Sequence, residues 1–185
     1  SNIISDSKII ARFEGRAEIE ELKTVSRDDE NGNPYNIVIW RLAEMRIVDL
    51  NTGITLSTHT IPYGSKLYIN NEDVVKKGQL ICEWDPWNAL IISEVSGKVA
   101  FDSLIKDVTF REESDEQTGY REKVIIDSRD KTKNPAIKIT DEKGDVIRLY
   151  NIPVSSHIVV DEGSTVLAGE TLVKIPRAMG KSGDI

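Results

Sequence analysis

Branched apolar residues fall in short runs along this chain, without the three-to-four spacing of an amphipathic helix. Asn36-Ile-Val-Ile-Trp40, Lys123-Val-Ile-Ile126 and Ala136-Ile-Lys-Ile-Thr140 are typical, and their length and composition suit half-buried strands. Turn signals separate such runs at Asn31-Gly-Asn-Pro34, Asn51-Thr-Gly53, Thr118-Gly119, Lys143-Gly144 and Glu162-Gly163. Many short strands with turns between them predict a sandwich or barrel. The composition agrees, because Ile and Val total 39 residues and Leu and Ala only 19. β-Branched side chains lose rotamer freedom against a helical turn and favour strands. The chain is predicted to be all-β.

An internal repeat organises the strands. Residues 53–82 align without a gap on residues 144–173, with identity at Gly53/Gly144, Ile61/Ile152, Pro62/Pro153, Ser65/Ser156, Val75/Val166 and Gly78/Gly169. Apolar positions match too, at Leu67/Ile158, Ile69/Val160 and Ile81/Leu172. In each copy Ile-Pro is expected to start a strand, since proline belongs at strand edges. A short alternating strand, an inward valine and a glycine with positive φ should follow. Two tandem modules are predicted, 1–100 and 101–180, dividing near 95–105, with 181–185 as a tail. The strand near 90–100 is expected to return to the first module from a hairpin at Glu83-Trp-Asp-Pro-Trp-Asn88, and an exchange of terminal strands between modules stays open.

Composition and charge narrow the function. With 24 Lys+Arg against 31 Asp+Glu the formal charge is −7 over 185 residues, which argues against a large nucleic-acid footprint. The longest wholly apolar run, Ala89-Leu-Ile-Ile92, is far short of the ~20 residues that span a bilayer. No signal-peptide pattern opens the chain. The single cysteine, Cys82, excludes a disulfide framework and a cysteine-based zinc site. These features together lead us to expect a cytoplasmic protein.

The Val-x-x-Gly spacing of the repeat, with Ser93-Glu-Val-Ser-Gly-Lys-Val99, resembles biotinyl and lipoyl carrier domains, which are barrel-sandwich hybrids. Such carriers need a lysine at an exposed hairpin apex. Asp85-Pro86-Trp87 occupies that place in copy one, and Lys174 in copy two reads as a solvated edge-strand residue. A carrier and a free-standing protein-interaction module stay as alternatives.

A fuller resemblance runs through Trp84-Asp-Pro-Trp-Asn-Ala-Leu-Ile-Ile-Ser-Glu-Val-Ser-Gly-Lys-Val-Ala-Phe101, Asp115-Glu-Gln-Thr-Gly119, Val124-Ile-Ile-Asp-Ser-Arg129, Pro135-Ala-Ile-Lys-Ile-Thr-Asp-Glu-Lys-Gly144, Leu172-Val-Lys-Ile-Pro-Arg177 and Gly180-Lys-Ser-Gly-Asp-Ile185. These stretches resemble the β′ (largest) subunit of bacterial DNA-directed RNA polymerase, most firmly over 61–185. The chain is similar to the insertion carried in that subunit's trigger loop, built from two sandwich-barrel hybrid motifs. In that family Asp-Ile leads into a Thr-Gly-Gly-Leu-Pro segment. Ser1-Asn2 reads as a cloning remnant on an excised domain.

The resemblance implies a mechanical, non-catalytic role in a nucleotidyltransferase whose magnesium and zinc are bound elsewhere, with no cofactor in this segment. No Asp-x-Asp-Gly-Asp run occurs in the sequence. The implied partners are the other polymerase subunits, the rest of β′ and transcription regulators, with no membrane and no strong direct nucleic-acid binding. For an insertion the ends should lie close together, near Ile9–Phe13 and after Arg177.

No catalytic, cofactor or metal residue is assigned. His59 and His157 are not equivalent in the repeat, His59 aligning with Tyr150 and His157 with Lys66. A metal pair or general base is conceivable, and half-buried strand residues are the favoured reading. Cys82 is read as a buried inert thiol. Gly180-Lys181-Ser182 ends like a phosphate loop but lacks the first glycine, since position 175 is Ile175. Asp28-Asp-Glu30 and Glu112-Glu-Ser-Asp-Glu116 lack a calcium-loop pattern and read as hairpin tips, or as docking surfaces for basic partners. Trp84 and Trp87 are expected to pack at the module junction, an exposed anchor being the alternative. Trp40 is read as core.

Overall fold

A computed structural model describes residues 7–114, 116–119 and 121–177. Strands make up all its regular structure, and no described helix is long and apolar enough to cross a membrane. The chain divides into two compact units, Ser1–Pro86 and Trp87–Ile185.

The first unit contains β1 (Lys8–Ile10), β2 (Gly15–Glu20), β3 (Thr24–Asp28), β4 (Pro34–Val38), β5 (Leu42–Val48), β6 (Thr55–Pro62), β7 (Lys66–Leu67), β8 (Val74–Val75) and β9 (Leu80–Glu83). They form two antiparallel sheets, in the orders β1-β9-β7-β4-β3 and β6-β5-β2-β8. Alternation along β2 and β5 turns Ala17, Ile19, Ala43, Met45 and Ile47 inward, where they meet Val38, Leu67, Val75 and Ile81 in one core. One apolar face per strand, buried against a second sheet, is the driving arrangement of a sandwich.

The second unit repeats this strand for strand with β10 (Asn88–Ile92), β11 (Gly97–Asp102), β12 (Phe110–Ser114), β13 (Arg121–Ile125), β14 (Ala136–Thr140), β15 (Val146–Asn151), β16 (His157–Ile158), β17 (Thr165–Val166) and β18 (Thr171–Pro176). Its sheets run β10-β18-β16-β13-β12 and β15-β14-β11-β17. Val99, Ile137, Ile139, Val166 and Leu172 form its core. All-β folding in two sandwich-barrel hybrid units agrees with the sequence.

Several local expectations are corrected. The division falls between Pro86 and Trp87, not near 95–105. β10 and β11 do not return to the first unit, because they pair with β18 and with β14 and β17. Glu83–Asn88 is no hairpin: β9 pairs with β1 and β7 instead of β10. Ile-Pro closes a strand rather than starting one. Pro62 ends β6, and its carbonyl accepts the Ser65 N–H at 3.2 Å. Pro153 follows β15 and accepts from Ser156 at 3.3 Å. The expected inward valines are Val75 and Val166, 0% and 2% exposed, and Gly78 and Gly169 hold φ of 89° and 94°. The segment after Arg177, expected near the N-terminal strand, lies outside the described residues, as does Gly180-Lys181-Ser182.

Candidate functional site

Within each sandwich the edge strands of the two sheets approach each other, and there the side chains of the two units differ. β1 and β6 are edge strands in the first unit, and β10 and β15 are their counterparts in the second. Equivalent backbone bonds fix the correspondence: Gly78 N donates to Ala11 O as Gly169 N donates to Ser93 O, both at 2.7 Å. Arg12 therefore matches Glu94. Through the repeat, Ser57 matches Arg148 and His59 matches Tyr150.

In the second unit this edge is closed by its own side chains. The Tyr150 hydroxyl accepts the Glu94 N–H at 2.9 Å, and Arg148 Nε lies 3.4 Å from Glu94 Oε2. Burial pushes the Tyr150 phenol upward, keeping it a neutral hydroxyl.

In the first unit the same place is a cavity of 340 Å³ lined by β1, Arg12, His59, Thr60 and Trp84. His59 Nε2, on a residue lining this cavity, is buried without a hydrogen-bond partner, as is Ser57 Oγ two residues earlier on β6. Burial, with the nearby Arg12 guanidinium adding to it, lowers the His59 imidazole below its usual range. A second cavity of 580 Å³ adjoins along β1, lined by Lys8, Arg12 and Lys77. No carboxylate lines either cavity, and no ion pair joins these cations to another described residue.

The remaining candidates have structural explanations. His157 Nδ1 is 2.7 Å from Glu122 Oε2 on neighbouring strands of the second unit. His59 belongs to the first unit, so each histidine has its own surroundings. Cys82 is fully buried, and burial pushes its thiol up to about 12. Asp29 Oδ1 accepts the Asn31 and Asn33 N–H groups at 2.8 Å each, and chiefly the Asn33 bond holds its carboxyl below the usual range. That acidic cluster is hairpin chemistry. Glu112 faces Arg121 at 3.3 Å and Lys106 at 3.9 Å, and Glu113 faces Arg111 at 2.7 Å. Asp115 lies outside the described residues. Among the described residues no group of three or more His, Cys, Asp or Glu could hold a metal.

Lys174 is solvated, as expected, but β18 is an inner strand between β10 and β16. It sits at no hairpin apex. Trp84 packs on the first unit's core, while Trp87 is 52% exposed. Trp40 is 42% exposed, correcting its core reading. β4 ends at Val38, so strand alternation no longer directs Trp40 inward.

Sequence reasoning missed Lys8, Arg12 and Lys77. The repeat carried only part of the signal, the change from Tyr150 to His59, since Arg12 and Glu94 lie outside its constant spacing.

No family model matches the chain. Curated relatives match over its full length. DNA-directed RNA polymerase subunit β′ of Parabacteroides distasonis is 56% identical over 186 residues, covering 100% of this chain and 13% of that protein. The Bacteroides thetaiotaomicron protein of that name is 54% identical over 185 residues, and that of Flavobacterium johnsoniae 47% over 183, each again matched over 13% of its length. The chain thus belongs, as a segment spanning 13% of the relatives' length, to the β′ subunits of bacterial DNA-directed RNA polymerase.

Proposed function

We propose that the chain is a non-catalytic insertion domain of the polymerase β′ subunit that modulates trigger-loop folding during RNA synthesis. The observation that carries this reading is the unbroken match, at up to 56% identity, to one segment of subunits far longer than the chain. The resemblance of Gly180–Ile185 to the family's sequence at the trigger loop supports the location. Two sandwiches, each with its own apolar core, suit a mechanical part.

A folded body carried in a moving loop must move with it. Any contact it makes in only one state of the loop shifts the equilibrium by that contact's free energy. About 1.4 kcal/mol changes the ratio of states tenfold, so a few rim contacts suffice to tune nucleotide addition or pausing. Other polymerase subunits, the rest of β′ and transcription regulators are the partners this reading implies.

The test replaces residues 3–183 in the full polymerase with a short linker and measures nucleotide-addition rate and pause lifetime. Polymerisation should survive while one or both quantities change several-fold. Unchanged rate and pausing would sink the mechanical reading and favour a docking role instead.

A further inference from the structure

We propose that the open edge of the first unit, between β1 and β6, is a docking groove for an acidic, extended polypeptide segment, held by Lys8, Arg12, Lys77 and His59. It stands on the first unit's geometry alone, whatever becomes of the trigger-loop reading. The duplicated fold supplies the comparison. The same edge of the second unit satisfies its own polar groups through Tyr150, Glu94 and Arg148. The first unit holds His59 Nε2 buried and unsatisfied beside cations with no ion-pair partner among the described residues, and Ser57 Oγ on the same strand is unsatisfied as well. Buried polar atoms without partners are uncommon in folded proteins and call for an explanation. A bound acceptor-rich ligand provides one.

Charge and backbone together select the occupant. The chain carries a net charge of −7, yet the two adjoining cavities are lined by three cations and no carboxylate. That local reversal attracts anions against the field of the whole molecule. An edge strand also presents backbone groups that an incoming strand can pair. Ile10, which lines both cavities beside the cations, is 44% exposed, offering apolar contact between the charged positions. Alternating acidic and apolar side chains on an added strand meet all three features.

The probe is a blocked peptide of alternating glutamate and valine, titrated into the full 185-residue chain and followed by backbone-amide and imidazole NMR. Its lysine analogue and oligothymidylate serve as comparisons. The acidic peptide should perturb Lys8–Arg12, His59 and Lys77, and its affinity should fall with salt. The triple substitution Ser57→Arg, Arg12→Glu, His59→Tyr copies the closed edge of the second unit. It should weaken binding by about tenfold or more, since a like charge then faces the acidic peptide. Lys8→Ala with Lys77→Ala, both outside the core, should weaken it with the urea midpoint unchanged, separating binding from folding. Perturbation outside the groove, equal response to the lysine peptide, or tighter binding of oligothymidylate overturns the proposal. Self-association of the chain through this edge in the absence of peptide overturns it too.

Discussion

Glu72 and Ser155 hold φ of 77° and 75°, at places where the other unit has glycine. Glu72 N donates to Ala17 O at 2.7 Å as Gly163 N donates to Val99 O at 2.8 Å. Ser155 N donates to Ile125 O as Gly64 N does to Val38 O, both at 2.8 Å. Each residue is the third of a four-residue turn closed by a backbone bond, Asp73 to Asn70 and Ser156 to Pro153. Positive φ brings Cβ toward the backbone and costs an ordinary residue about 1–2 kcal/mol. Glycine loses part of that advantage through the greater freedom of its unfolded chain. Glu72→Gly and Ser155→Gly should therefore each stabilise the fold, by about 0.5 kcal/mol after this offset. Urea unfolding checks it, and a lowered midpoint in either variant would show that the side chain contributes something the turn geometry hides.

At the scale of elements, the close pairing of β2 with β5 and of β11 with β14 rests on one glycine each. A Cβ on Gly97 would stand 2.6 Å from both the Thr140 carbonyl oxygen and an Ile139 methyl, and one on Gly15 would press on the Val48 carbonyl oxygen. Backbone cannot yield as a flexible side chain can, so Gly97→Ala and Gly15→Ala should each destabilise by about 1–3 kcal/mol, the usual cost of overpacking. An unchanged unfolding midpoint would mean that the paired strands can part freely.

The same glycines explain what the sequence made legible. The all-β class and the last four strands of each unit were readable because β6–β9 and β15–β18 keep a constant spacing of 91, as in Ser65 and Ser156. Upstream the spacing drifts. Gly15 and Gly97 stand 82 apart, Val38 and Ile125 stand 87, and Met45 and Ile137 stand 92. Loops of unequal length between equivalent strands break a gapless alignment, so the first five of the nine strands in each unit have no counterpart at the constant spacing. That drift also misplaced the module boundary. It hid the groove as well, because the contrast between Arg12 and Glu94 appears only at the 82-residue spacing. The constant part exposed just half of the contrast, His59 against Tyr150.

For the whole molecule, duplication means that each unit carries a complete set of nine strands and its own buried cluster. Every described strand pairs within its own unit. A unit with its own core and closed strand set is expected to fold alone, though one this small has little stability to spare. Residues 1–86 expressed by themselves should show dispersed amide resonances and a single urea transition, and Met45→Ala within them should cost about 2–5 kcal/mol, because the site is fully buried. A collapsed state without fixed packing would refute the division at Pro86. Function gives the isolated unit a second use. Every residue assigned to the acidic-segment groove lies between Lys8 and Trp84, so the isolated first unit should retain peptide binding while residues 87–185 show none. If both pieces bind alike, the asymmetry between the two edges is not what recognises the peptide, and a property shared by the two sandwiches must be doing so.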